Sequence, residues 1–563
     1  MLRLVPPLTL LLFLGPVVAG LAGTLLPAFG YLPALGPGIG VLAPWQALLD
    51  YPGIARSLSL TLASGILSTV LALFLAVGIC AAFHETRWFV RLRGVLAPLL
   101  ALPHAALAIG FAFLIAPSGW LARLISPWLT GWDRPPDIAS VADPLGLSLT
   151  LALAMKETPF LLLLMIAALN QVPAAQMLRV ARSLGYGPAT AWLKAVLPLV
   201  YRQIRLPLYA VLAYGLSTVD MAIILAPGTP PPLAVLVLRW FNDPDLAMRF
   251  QAAAGAVLLC GLVVAAILLC RGIETGIARL GIIWAAAGGR GAGWVARILP
   301  AVLAGTIGGL ALTLSILSMA VLGLWSLAGA WRYPDALPPT VTLEGWMRQA
   351  DAVAMPLSTT LWLAGAATLA ALLLVLGCLE QEQRRGHGLS QRGLWLLYAP
   401  LLVPQIGFLF GAQILLVRVG LDGTAIALVW SHLLFVLPYV FLALADPYRA
   451  LDARYTRTAQ CLGAGAFRVF WQVKLPILLR PILIAAAIGF AVSIGQYLPT
   501  LFAGAGRYAT LTTEAVSLAS GANRRVIGIY AFLQGALPFL GFWLALLLPA
   551  WLYRHRSGLR GVS

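Results

Sequence analysis

The sequence predicts an all-α integral membrane protein with about twelve transmembrane helices, arranged as two parallel six-helix repeats. Three observations carry this prediction. The 563-residue chain is 61% hydrophobic and only 10% charged, with a mean hydropathy of +0.93, whereas charged residues make up about a quarter of ordinary soluble domains. Apolar stretches of about 20 residues, enough to cross a bilayer, recur along its whole length. Finally, a polar, basic segment occurs twice: Arg179-Val180-Ala181-Arg182-Ser183-Leu184-Gly185 before Leu197-Pro198, and Arg457-Thr458-Ala459-Gln460-Cys461-Leu462-Gly463 before Leu475-Pro476.

Twelve spans are expected near residues 6–28, 57–82, 95–116, 146–169, 206–226, 251–270, 298–325, 357–379, 395–417, 425–445, 481–501 and 527–552, numbered 1 to 12 below. The apolar stretch after Arg3 outruns the 7–15 residues of a signal-peptide core, so it is read as an uncleaved first span. With the N-terminus inside, the outer loops carry equal numbers of acids and bases. The inner loops and tails then hold nearly the whole +18 surplus, as the positive-inside rule requires. The basic charge therefore reports topology, and a nucleic-acid partner is excluded. Cys80, Cys260, Cys270, Cys378 and Cys461 fall in spans or on the inner side without a CxxC pair. They read as small apolar residues in a reducing setting, with neither disulfide nor metal site implied.

The duplication extends along the spans. Leu58-Ser59-Leu60-Thr61 in span 2 matches Leu357-Ser358-Thr359-Thr360 in span 8, and Ala97-Pro98-Leu99-Leu100 in span 3 matches Ala399-Pro400-Leu401-Leu402 in span 9. Thr158-Pro159-Phe160 in span 4 matches Leu437-Pro438-Tyr439 in span 10. An even number of spans separates matching segments, so the repeats share one orientation about an axis along the membrane normal. The expected organisation is a first repeat over 1–275 with its loop at 171–205, a cytoplasmic linker over 276–297, and a second repeat over 298–563 with its loop at 447–480. The stretch 380–392 reads as an ordinary solvated inner connection.

Within the first loop, Pro173 suits a helix start, where its missing N–H costs nothing. Residues 174–184 then make about three turns with Arg179 and Arg182 on one face. Gly185-Tyr186-Gly187-Pro188 stops the helix, a second short helix covers 189–196, and Pro198 leads back towards span 5. Both glycines precede the proline by thirteen residues, 185 to 198 and 463 to 476. The pair reads as a helix–turn–helix lying along the inner membrane face.

These residues resemble the coupling loop of ABC-importer permeases, whose pattern is Glu-Ala-Ala, three residues, Gly, nine residues, an aliphatic residue, one residue and Leu-Pro. Ala181 and Ala459 match the second alanine, Gly185 and Gly463 the glycine, and Leu197-Pro198 and Leu475-Pro476 the end; His432, Pro438, Asp446 and Leu451 support the match upstream. Arg179 and Arg457 replace the glutamate, and Val180 and Thr458 the first alanine. The resemblance covers nearly the whole chain twice and looks most like the fused permeases of the ferric-iron and thiamine branch, Ynj-type thiamine permeases in particular. It implies a multi-pass protein of the bacterial inner membrane, surrounded by lipid. Such a protein would move a small solute, thiamine-like or ferric iron, from a periplasmic solute-binding protein to the cytoplasm. The loops would engage two cytoplasmic ABC ATPase subunits.

The chain itself carries no engine. A P-loop places lysine directly after glycine, but Lys156, Lys194 and Lys474 follow Met155, Leu193 and Val473. The histidines are scattered and no catalytic cluster stands out, so ATP is expected to be used by the partner subunits, with no cofactor on this chain. Ionisable groups inside spans default to function. Asp220 beside Ser217 in span 5, and Gln496 beside Ser493 in span 11, form polar islands after each loop and are candidates for the pathway. Lys156 and Glu157 in span 4 either face the pathway or form structural pairs; as sequence neighbours they point different ways. The competing reading is a 6+6 secondary transporter driven by an ion gradient, which needs no docking loops.

Overall fold

The computed structural model describes residues 2–33, 38–291, 293–386, 391–521 and 523–554. Helices make up nearly all of its regular structure; one isolated bridge joins Ala328 to Val341. Ten helices are long and apolar enough to cross a membrane, and an eleventh span is formed if the pair Trp395–Leu402 and Gln405–Val419, bent by 92°, counts as one. Ten to eleven spans among the described residues accord with the expectation of about twelve. Span 5 is the one that falls short: the helix Leu197–Ser217 carries Arg202 and Arg205 near its start and stops at Thr218.

Spans 3, 5, 9 and 11 are each broken into two helices. Span 3 divides into Arg87–Ala101 and His104–Ile115, with Leu102 extended before Pro103, because proline lacks an N–H and disfavours helix in the residue before it. Pro404 interrupts span 9 between Gln391–Leu402 and Gln405–Val419 in the same way. Span 5 continues after Thr218 as Asp220–Leu225, and span 11 divides into Leu475–Ile494 and Leu498–Gly504. Free carbonyls at such breaks must be satisfied within the protein. The carbonyl of Ile494 accepts from Thr512 Oγ1, which in turn accepts from Gln534 Nε2 at 2.8 Å.

The threonines that reveal the duplication have a shared task. Thr61 Oγ1 accepts the N–H of Leu233, the first residue of the short helix Leu233–Phe241, at 2.8 Å. Thr360 Oγ1 accepts the N–H of Leu511, the first residue of Leu511–Leu518, at 2.9 Å. Each threonine thus satisfies an orphan donor at a helix start and ties a short outer helix to the span that precedes the loop.

The first span of each half packs on the other half. Val5–Ala28 lies along Gln405–Val419, and Trp294–Leu327 lies along His104–Ile115. Small residues make both contacts possible: a Cβ on Gly23 would come within 2.9 Å of Gly411 Cα, and one on Gly110 within 2.7 Å of the Ser318 carbonyl carbon. Close backbone approach of this kind is how helices associate where lipid removes the hydrophobic drive between them. Outward faces leave Leu268, Leu269, Leu373 and Leu544 exposed, as a lipid-facing belt requires.

The expected linker is mostly helix: Met248–Ala286 runs well past the membrane-spanning length, and the next helix begins at Trp294. The stretch 380–392 also departs from a solvated connection. The helix Glu344–Arg385 continues into it and Glu380 is buried; residues 387–390 lie outside the described residues.

Candidate functional site

The two repeated loops fold alike. In the first, the helix Ala174–Ser183 ends at Gly185, whose φ is +83°. Gly185 N–H donates to the Arg182 carbonyl at 2.9 Å and Tyr186 N–H to the Ala181 carbonyl at 3.1 Å. In the second, the helix Ala453–Cys461 ends at Gly463, φ +81°, with Gly463 N–H on Gln460 at 2.9 Å and Ala464 N–H on Ala459 at 3.0 Å. This is the same Schellman closure twice, and the left-handed residue at its centre explains the glycine. A short helix follows, Pro188–Ala191 or Ala466–Val469, then one π-turn, Trp192–Val196 or Phe470–Lys474, and then Leu-Pro opens the next span. The second helix does not stop before the proline, as the sequence suggests. It widens by a π-turn and runs into the span, which lets the chain pass a residue without an N–H.

What the loops present is apolar and basic. Val180 and Leu184 are exposed on the first; on the second, Leu462 and Phe467 are 82% and 78% exposed, with Trp471 beside them. Arg179 and Arg457 are both exposed and form no ion pair among the described residues, whereas Arg182 pairs with Glu85. Next to it, burial lowers the His84 imidazole below its ordinary value, against the opposing pull of Glu85. Leu197, Pro198, Leu475 and Pro476 form the hinge between loop and span rather than the presented face.

The loops differ in what braces them. Behind the first, Lys194 Nζ donates to the carbonyls of Trp284 at 3.0 Å and Gly289 at 2.8 Å, and lies 4.6 Å from the Trp284 ring centre. Gly187 N–H donates to the Arg290 carbonyl at 2.9 Å, so the segment joining the halves clasps this loop. Behind the second, Lys474 Nζ meets Glu380 Oε2 at 2.7 Å and Gln383 Oε1 at 2.7 Å, while Tyr448 and Arg384 also hold Glu380. The Lys474–Glu380 pair is buried on both sides. Sequence reasoning missed it, although Glu380 and Lys474 were both visible as charges at the edges of apolar runs.

In the bundle centre, Glu157 Oε1 lies 3.7 Å from His104 Nε2, and the His104 and Tyr214 rings meet at a 41° tilt with centres 4.5 Å apart. Tyr214 OH and Thr218 Oγ1 each donate to Asp220 Oδ1 at 3.2 Å. Lys156 points elsewhere: its ammonium donates to the carbonyls of Leu100 at 3.0 Å and Leu102 at 2.5 Å, capping the break in span 3. Ser217 Oγ donates to the Ala213 carbonyl, and Gln496 Nε2 to that of Val492. Ser493 bonds His432 Nδ1 at 2.8 Å, and Thr500 holds the other ring nitrogen. Asp220 and Glu157 thus join one central cluster with His104 and Tyr214, while Lys156, Ser217 and Ser493 are spent on structure. His104 and Tyr214 were not singled out from sequence; the polar tip of each within a span was the available signal.

No family model matches the chain. The chain is 34% identical over 557 residues, 98% of both chains, to the inner membrane ABC transporter permease protein YnjC of Escherichia coli K12. It is 26% identical over 488 residues, 81% of both chains, to the thiamine transport system permease protein ThiP of the same organism. A shorter match, 32% over 121 residues, covers 21% of this chain and 44% of the molybdenum transport system permease protein ModB of Mycobacterium tuberculosis. Permeases of this type work with an ATPase and a binding protein. The chain belongs to the inner-membrane ABC transporter permeases, as the fused, multi-pass permease subunit of an importer.

Proposed function

We propose that this permease imports a small organic cation, thiamine-like in charge and aromaticity, from a periplasmic solute-binding protein. Two ATPase subunits drive it, one seated on each repeated loop. The observation that carries the pairing is the duplicated Schellman-closed helix with exposed apolar residues, Val180 and Leu184 on one copy and Leu462 and Phe467 on the other. ATP is bound and hydrolysed by those subunits, and this chain contributes no cofactor site and no catalytic step. The cation preference rests on Glu157 and Asp220 beside Tyr214 and His104, since carboxylates and ring faces together suit an organic cation. The thiamine relative's substrate is of the same class. The arginines at 179 and 457 call for an ATPase groove with acidic character where other family members meet glutamate.

Native mass spectrometry of the purified complex tests the pairing. Two ATPase copies per permease chain are expected, falling to one when Leu462 and Phe467 are replaced by aspartate. Two copies retained in that variant would overturn the assignment of the second loop.

A further inference from the structure

At the end of the bundle opposite the repeated loops lies a cavity of about 540 Å³, lined by Ser118, Trp325, Trp331, Asn523, Arg524 and Arg525. Both halves build it: Ser118 follows the helix His104–Ile115, Trp325 stands near the end of Trp294–Leu327, and Arg524 opens Arg524–Leu552. Two guanidinium groups converge there on one acceptor. Arg123 Nε donates to the Ser118 carbonyl at 3.0 Å, and Arg524 Nη1 donates to the same oxygen at 2.8 Å while its Nη2 bonds Ser118 Oγ at 2.8 Å. Arg123 is 4% exposed, packed 4.8 Å from the Trp331 ring centre, and its other bonds go to the carbonyls of Arg332 and Asp335.

None of Arg123, Arg524 and Arg525 takes part in an ion pair among the described residues. The indole N–H of Trp325 is buried without an acceptor. Arg524 and Arg525 also sit in the first turn of the helix Arg524–Leu552, whose N-terminus adds positive potential. Like charges gathered in a partly buried site are costly until an anion joins them. A guanidinium fork matches the paired oxygens of a carboxylate or a phosphate, and a carboxylate is the one that a protein surface supplies.

We propose that this cavity receives an acidic side chain of the periplasmic solute-binding protein, which fixes that protein across both halves of the permease. The inference rests on the importer reading above. The choice of a protein carboxylate over the solute follows from charge: a positive cavity repels a cationic solute, so the site lies beside the solute's route. Arg525 is the residue to change, because it is exposed and its side chain holds nothing else in place in the described contacts.

The test uses the full permease with its ATPase in nanodiscs and its cognate binding protein. Arg525→Glu should slow association of the binding protein about tenfold and flatten its salt dependence. Basal ATPase activity should stay unchanged. Arg525→Gln should give an intermediate rate, and reversing one acidic residue on the binding protein should restore the Arg525→Glu rate. Wild-type association and wild-type salt dependence in both variants would overturn the proposal. So would acetate that blocks solute uptake without slowing docking, since that would mark a site for a soluble anion. Failure of the binding protein to stimulate the unsubstituted complex would instead overturn the importer reading itself.

Discussion

Replacing Gly463 by alanine isolates the backbone requirement of the second repeated loop. Its φ is +81°, and a Cβ built there meets no atom within 4 Å, so conformational strain is the only new cost. Holding an ordinary L-residue in the left-handed region costs about 1–2 kcal/mol. Since about 1.4 kcal/mol is tenfold in an equilibrium, that strain lowers the docked fraction by roughly five- to thirty-fold if the ATPase requires the closed turn. Asparagine tolerates the same conformation and should restore most of the loss. The equivalent Gly185→Ala change carries the same strain at φ +83°, with Arg290 Cδ at an ordinary 3.5 Å. There, however, the bonds from Gly187 to Arg290 and from Lys194 to Trp284 and Gly289 clasp the loop from behind, so its loss should be the smaller one. The assay is the affinity of the purified ATPase for each variant in nanodiscs, read by surface binding. Gly463→Ala binding as tightly as the unsubstituted chain, or Gly185→Ala costing more, would refute the reasoning.

Three further outcomes can be checked with the same preparations. Glu380→Ala strands a buried ammonium on Lys474 and should cost about 3–5 kcal/mol in unfolding experiments; the double change Glu380→Gln with Lys474→Met should recover most of it. Asp220→Asn and Glu157→Gln should each lower uptake of an organic cation about tenfold, of the order that losing one charge-assisted contact predicts, with ATPase affinity unchanged; uptake at the normal rate would remove these acids from the route. Arg179→Glu together with Arg457→Glu should weaken ATPase binding in a salt-dependent way, because both side chains are exposed and charge pairs at a rim act mainly through association. Tighter binding would mean that the groove is basic.

The sequence makes the loops legible because their determinants are local. A left-handed turn requires glycine, and a proline has no N–H, so Gly185, Gly463, Pro198 and Pro476 announce themselves wherever the rest of the chain lies. Hydropathy likewise finds the long spans, since a bilayer demands an apolar run whatever the neighbours are. It does not say which helix lies beside which, and so the crossing of each first span to the other half is invisible until Gly20, Gly23 and Gly411 are seen in contact. The breaks in spans 5 and 11 are hidden for a different reason: Thr218 and Tyr497 are ordinary residues, and Thr512 and other partners elsewhere absorb the freed backbone groups. The matched threonines at 61 and 360 were readable as a repeat, but their service to Leu233 and Leu511 depends on residues 172 and 151 positions away. Lys156 shows the same limit. Its charge marks it as unusual, yet only the position of the Leu100 and Leu102 carbonyls tells that it caps a broken helix.

The central claim is that solute movement through this chain is driven by ATP hydrolysis on partner subunits docked at the two loops. The most direct measurement is uptake into proteoliposomes holding the permease, with the binding protein outside and the ATPase and ATP inside. The account predicts uptake that stops when the ATPase is omitted or ATP is replaced by a non-hydrolysable analogue, and that continues when ionophores collapse proton and sodium gradients. Uptake that survives without the ATPase and follows an ion gradient would contradict it.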